Sequence, residues 1–191
     1  MNVVMMWCRS MEENIISIDN MLPWNEPEDK INFQKVFNEK NIVMGRKTYE
    51  SMEKDFLAKQ KIYVMTSHQD YELISQNHEI ISSQKDLKDI EDDLYIAGGR
   101  EVYELFLTGK EALKPEIIVD CVYEGAIDNL GGNKNTITEC MKIVEKNYRR
   151  ITPFYQKGKV KSAIKVKKGE FVEQSVLNKI LTVIENGANI V

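Results

Sequence analysis

The stretch Asn41-Ile42-Val43-Met44-Gly45-Arg46-Lys47-Thr48-Tyr49 decides the fold. Ile42, Val43 and Met44 form an unbroken apolar run, as in a strand buried on both faces, and Gly45 ends it where two cations and a hydroxyl open a helix. Upstream, Val3 to Cys8 is a second such run, Ile15 to Ile18 a shorter one, and residues 27 to 38 read as a helix with Pro27 near its start, where a missing N–H is tolerated. Downstream, strands are predicted over Lys61 to Ser67, Glu79 to Ser82, Leu94 to Ala97 and Ile117 to Val122, with helical stretches from Arg46 to Met52, from Ser83 to Ile90 and from Glu101 to Leu107. Strands alternating with helices imply right-handed crossovers and an α/β domain: a central, mainly parallel β-sheet flanked by helices.

The last third changes pattern. Asp128 to Lys134 reads as a loop and Thr138 to Lys146 as a helix, and Tyr148 to Tyr155 and Lys159 to Lys167 are expected to pair as C-terminal antiparallel strands around Gly158. Phe171, Leu177, Ile180, Leu181 and Ile184 then recur at helical spacing. The expected division is a domain over 1–168 and a helical extension over 169–191. The extension's stripe needs a surface to cover it, within the monomer or across a homodimer.

Composition narrows the class. The chain has 191 residues, 42% hydrophobic and 29% charged, with a net charge of −4, which suits one soluble domain. A mildly acidic chain without a basic block argues against nucleic-acid binding, and the longest apolar run is far too short for a membrane span. Cys8, Cys121 and Cys140 are widely spaced, with no metal-ligand or redox interval; they are expected as small buried residues in a reducing, cytoplasmic setting. His68 and His78 stand in polar surroundings and are expected to be solvated.

Open α/β sheets bind ligands at the C-terminal ends of their strands. Three such ends carry suitable chemistry: Gly45-Arg46-Lys47-Thr48, Thr66-Ser67, and Ala97-Gly98-Gly99-Arg100-Glu101-Val102-Tyr103. Free amides and a helix dipole favour an anion, glycines admit close approach of backbone to a ligand, and arginine adds a planar fork for phosphate oxygens. Together the three look like a dinucleotide cradle. An acid, Asp29, follows Leu22-Pro23-Trp24 and lies one helical turn before Phe33, so a carboxylate is set among apolar groups unless it merely caps the helix.

These residues resemble the dihydrofolate reductase family. The resemblance rests on Asn20 to Asp29, on Ile42 to Met52 and on Ala97 to Tyr103, in order and at matching intervals, and covers residues 1 to about 123. It implies NADPH-dependent reduction of 7,8-dihydrofolate to tetrahydrofolate, serving one-carbon metabolism and thymidylate synthesis. Asp29 would bind the pterin, Trp24 and Leu22 would belong to a loop closing over the nicotinamide, and Val4, Met6, Phe33, Met52 and Leu57 would line the substrate site. Gly45, Arg46, Lys47, Thr48, Thr66 and Ser67 would hold the adenosine phosphates, with Arg46 at the 2′-phosphate. Gly98, Gly99, Arg100 and Glu101 would present backbone amides to the pyrophosphate, with Ala97 and Val102 also in the cofactor site and Tyr103 near the nicotinamide.

Three departures from the family pattern stand out. Met6 occupies a place usually held by a small residue. The arginine for the folate α-carboxylate is missing, leaving Lys59 or Lys61 as a point charge. Asp120 falls where a threonine usually serves the active-site acid; either two carboxylates face each other, or the register slips and Asp120 points away. Two other readings keep the fold: a reductase of another pteridine or a pyrimidine, and a non-enzymatic NADPH-binding or structural protein.

Overall fold

The computed structural model describes residues 1–110, 113–127 and 131–191. Part of the loop expected over Asp128 to Lys134 therefore lies outside the described residues. The parallel strands are β1 (Val3–Ser10), β3 (Asn41–Gly45), β4 (Lys61–Met65), β5 (His78–Ile81), β6 (Leu94–Gly98) and β7 (Ile117–Tyr123), in spatial order β7-β1-β6-β3-β4-β5. On the far side of β7 the sheet turns antiparallel: β11 (Val160–Lys167) pairs with β7, and β10 (Tyr155–Lys157) pairs with β11. The hairpin turns at Gly158, whose φ of +55° suits a residue without a side chain.

The expected strand over Tyr148 to Tyr155 is broken. Only Tyr148–Arg150 (β9) and Tyr155–Lys157 pair with β11, and Pro153, which has no N–H to give a ladder, lies in the gap. A further short strand, β2 (Ile15–Ile18), leaves the main sheet and pairs with β8 (Lys134–Thr136).

Side chains alternate along each strand, so the sheet builds two cores. One face carries Val4, Met6, Val119, Cys121 and Ile164 beneath α1 (Pro27–Phe37), α2 (Arg46–Ser51) and α3 (Lys54–Leu57). The other carries Val3, Met5, Trp7 and Ile118 beneath α4 (Arg100–Thr108) and α5 (Thr138–Asn147), which supply Val102, Phe106, Cys140 and Val144. The helix expected from Ser83 to Ile90 is only a 3₁₀ turn, Gln84–Leu87. Ser83 and Asp86 close a capping box there, but the turn goes no further.

The C-terminal extension is part of the first core. Helix α6 (Gln174–Glu185) packs against α1, β10 and β11 and buries Val176, Ile180 and Ile184. A two-residue strand, β12 (Asn189–Ile190), then adds to β10. The buried part of the apolar stripe is thus covered from within the chain. Phe171, expected in the stripe, stands 90% exposed outside it. No helix among the described residues is long and apolar enough to cross a membrane.

Candidate active site

Asp29 lies in the first turn of α1, which Pro27 opens, and is 7% exposed. The Trp24 indole Nε1 donates to Asp29 Oδ2 at 2.8 Å, and the Trp24 ring stacks on Tyr123 of β7 with centroids 4.7 Å apart. The acid is held from outside its helix, which an N-cap would not require. Burial pushes the Asp29 carboxyl above its ordinary pKa; the Trp24 indole and the Cys8 thiol pull it back without cancelling the shift, and Glu26 adds to it.

Further along α1 and in the segment leading to α3 lie groups on the same side of the sheet. Phe33, one turn along α1, lies 4.3 Å from Phe37 and 5.9 Å from Phe56 of α3 between ring centroids. Met52 is half-buried on the same side of the sheet. Lys30 of α1 pairs with Glu53 just before α3, and Gln34 donates to the same carboxylate at 3.4 Å. Phe56 lies half-buried beside Phe33, where sequence reasoning chose its neighbour Leu57. Leu57 is 1% exposed and belongs to the core, because successive helical positions point about 100° apart. Lys59 is exposed at the far end of α3.

Val4 and Met6 are on the Asp29 side of the sheet but almost wholly buried, so they underlie the site without presenting surface to it. The Met6 carbonyl accepts the Tyr103 hydroxyl at 2.7 Å, and the Tyr103 ring meets Trp7 edge-on. Tyr103 is 4% exposed and braces β1 against the Gly98 turn. Ala97 and Val102 are likewise packing residues.

Asp120 requires a correction. It pairs in register with Trp7, on the face opposite Asp29, and is fully buried. Arg9 grips both of its oxygens (Nε–Oδ1 2.9 Å, Nη2–Oδ2 3.1 Å), Lys165 reaches Oδ2 at 2.7 Å and Trp7 Nε1 donates to Oδ1 at 2.8 Å. Burial alone would raise its pKa; Arg9 and Lys165 outweigh burial and hold the carboxyl below the usual range. Asp120 is not a substrate-site residue. Cys121, next along β7, faces Asp29 in its place, with its sulfur taking a hydrogen bond from Ser162 at 3.1 Å.

The other half of the site is the cradle, where β3 and β6 run side by side with Met44 opposite Gly98. A Cβ on Gly98, whose φ is +111°, would lie 2.9 Å from the Tyr103 hydroxyl. One on Gly99 would lie 3.2 Å from Thr48 Oγ1, and one on Gly45 3.3 Å from Val102 Cγ2. The glycines thus keep bare backbone at the N-termini of α2 and α4, where unpaired amides collect. Beside them a cavity of about 600 Å³ is lined by Arg46, Ser67, His68, Gln69, Asp70 and Tyr71. Arg46 Nη1 bonds Glu50 at 2.6 Å and its guanidinium lies 6.0 Å from the Tyr71 ring centre. Thr66 Oγ1 accepts from the His68 amide at 3.2 Å. Lys47, Arg100 and Glu101 are exposed at the rim.

A buried acid beside an indole, together with a glycine-lined pair of helix starts, coincides with a match of residues 2–123 to the family model for dihydrofolate reductase. The chain belongs to the dihydrofolate reductase family. It is 32% identical to the dihydrofolate reductase of Enterococcus faecium over 126 residues, covering 64% of this chain and 74% of that one. The enzyme of Bacillus subtilis (strain 168) is 38% identical over 98 residues, 49% of this chain and 56% of that one. A solved dihydrofolate reductase from Enterococcus faecalis, complexed with NADP(H) and RAB-propyl, shares the fold with a TM-score of 0.68 at 17% identity, over 87% of this chain and 96% of that one. The family model stops at Tyr123, so β8 to β12, α5 and α6 lie outside the part that carries the family pattern.

Proposed function

We propose that the chain reduces 7,8-dihydrofolate to tetrahydrofolate with NADPH. The observation that carries this reading is Asp29: a carboxylate nearly out of water and fixed by Trp24, on the side of the sheet that also carries the half-buried Phe33 and Met52. Two acceptor oxygens in that setting match the paired donors of a pterin's amino group and ring N–H. Because burial raises its pKa, Asp29 favours a substrate that brings positive charge or a proton to it, which is the balance reduction of the pterin requires.

The cradle fits the cofactor. Gly98 and Gly99 leave room where any Cβ would crowd Tyr103 or Thr48, as a pyrophosphate lying on backbone needs. Arg46 with Ser67 and His68 offers a 2′-phosphate a fork and further donors. Bound there, NADPH supplies the hydride. The chain's own residues do the rest: Tyr103 fixes Met6 against the glycine turn, Asp29 orients the pterin, and Phe33 with Phe56 receives the aminobenzoyl ring.

The segment before α1 is built to cover the site. Met21 and Leu22 are 71% and 59% exposed, apolar and free of packing on the outer side. Its base is tied down: Asp19 N donates to the Asn133 carbonyl, the Asn133 amide returns to Asp19 Oδ1, both at 3.0 Å, and β2 pairs with β8. An exposed apolar tip on a fixed base suits a loop that excludes water over the reacting rings. The test is oxidation of NADPH by purified protein, which should require added dihydrofolate; cofactor binding without such turnover would overturn the reading.

The substrate tail is less well served. Lys59 supplies one charge without a fork, and Lys30 is engaged by Glu53. The tail's α-carboxylate is therefore expected to contribute less to affinity than it would at an arginine.

A further inference from the structure

We propose that Tyr123 is a positioning residue for the reaction: its ring fixes the plane of the Trp24 indole, and the indole in turn fixes the Asp29 carboxylate. The inference rests on the reductase reading of Asp29 and goes beyond it, because Tyr123 carries no role in that reading.

The need for such a group follows from where Trp24 sits. Residues 22–26 belong to no helix or strand, so the backbone there does not by itself set the direction of the indole. Yet Nε1 meets Asp29 Oδ2 at 2.8 Å, in a bond that weakens steeply as its angle degrades.

Tyr123 supplies what the segment lacks. It ends β7, in register with Ser10 of β1 on one side and Val160 of β11 on the other, and its carbonyl accepts the Met11 amide at 3.2 Å. Like Cys121, it points to the Asp29 side of the sheet. It is 6% exposed, and its ring lies 4.7 Å from the Trp24 ring at an interplanar angle of 19°, a stacked pair. A Cβ on Gly125 would overlap the Tyr123 ring and hydroxyl, so the glycine lets the ring lie against the chain that leaves β7. The hydroxyl donates to the Ala126 carbonyl at 3.4 Å. A line of contacts therefore runs from a hydrogen-bonded strand end, through two stacked rings, to the acid.

Glu26 and Cys8 also act on the Asp29 carboxyl, and Cys121 and Tyr103 feel its charge; Lys157 of β10 is bound to Asn32 and to the Val183 carbonyl. A substitution at Tyr123 leaves all of these residues in the chain. What it releases is Trp24, whose hydrogen bond favours the ionised form of Asp29.

The Trp24 indole N–H resonance of ligand-free, isotope-labelled protein tests this, assigned by comparison with Trp24→Phe because Trp7 gives a second indole signal. In wild type its shift should follow the titration of Asp29. In Tyr123→Leu, which keeps an apolar side chain without a ring, exchange of the indole N–H with water should quicken roughly 2- to 10-fold and the midpoint should rise by roughly half to one pH unit, the worth of one aromatic pair. Tyr123→Phe, which keeps the ring and drops the hydroxyl, should match wild type in both. The midpoint that Asp29 sets in kcat/KM for dihydrofolate should move with the indole midpoint. Exchange and midpoint unchanged in Tyr123→Leu, or changed as much in Tyr123→Phe, would overturn the proposal. If Tyr123→Leu does not fold, Gly125→Ala, which crowds the ring without removing it, decides by the same two readouts. The resonance needs no turnover, so failure of the reductase reading and failure of the Tyr123 role are separately visible.

Discussion

Asp29 and Asp120 lie on opposite faces of the sheet. Asp29 takes an indole hydrogen bond beside Cys8; Asp120 is locked by Arg9, Lys165 and Trp7 beneath the other face. The two carboxylates therefore do different work. Asp120 neutralises part of a buried double cation, and its removal would leave Arg9 and Lys165 unpaired at 12% and 14% side-chain exposure. Asp120→Ala should destabilise the fold by about 3–5 kcal/mol, read by urea denaturation, while the variant that remains folded keeps the wild-type pH profile of turnover. A changed pH profile with unchanged stability would return Asp120 to the active site.

His78 supplies a second test. It is 4% exposed, contrary to its expected solvation. Nε2 meets the Leu57 carbonyl at 3.0 Å and so must carry the proton, leaving Nδ1 to accept from the Tyr49 hydroxyl at 2.7 Å. Burial lowers its pKa below 6.5 despite the Leu57 carbonyl. The unfolded chain thus binds the proton first. The stability contributed by neutral His78 is full above pH 6.5 and is lost as pH falls toward the folded value. Chemical denaturation at pH 7.5 and at about pH 5 should show a loss in the wild type that is smaller in His78→Gln.

Arg46 and Glu50 form an ion pair at the edge of the cradle. Arg46→Ala should weaken NADPH binding roughly 10- to 100-fold and NADH far less, since a charge-assisted phosphate contact is worth about 1.5–3 kcal/mol. Glu50→Gln should act the other way, freeing the guanidinium and tightening NADPH. Fluorescence titration with both nucleotides checks this; equal losses for the two in Arg46→Ala would count against the phosphate assignment.

Much of this was legible in the sequence. Apolar runs ending on Gly45 and Gly98 located the parallel strands, and the Trp24 to Asp29 spacing located the acid, because local periodicity and local geometry decide both. What stayed hidden depends on facing and on partners. Asp120 or Cys121 toward the acid is a one-residue question of strand phase, settled only by pairing with β1. Phe56 against Leu57 is the same question on a four-residue helix.

The extension is expected to act as core. Ile180 is 2% exposed and Ile184 has no exposed surface, so Ile180→Ala should cost about 2–5 kcal/mol, and a chain ending at Gly169 should lose its cooperative thermal transition. A truncated chain that melts as the full-length protein does, yet elutes at half its apparent mass, would instead assign the stripe to assembly.

The account turns on Asp29, and the most direct measurement is the dihydrofolate-dependent rate of NADPH oxidation in wild type and in Asp29→Asn, with melting temperatures taken on the same samples. The expected result is brisk wild-type turnover that falls by at least about 100-fold in Asp29→Asn, in a protein whose melting temperature is unchanged or higher, because a buried charge has been removed. An Asp29→Asn protein that turns over dihydrofolate at the wild-type rate, or a wild type that oxidises NADPH without it, would contradict the account.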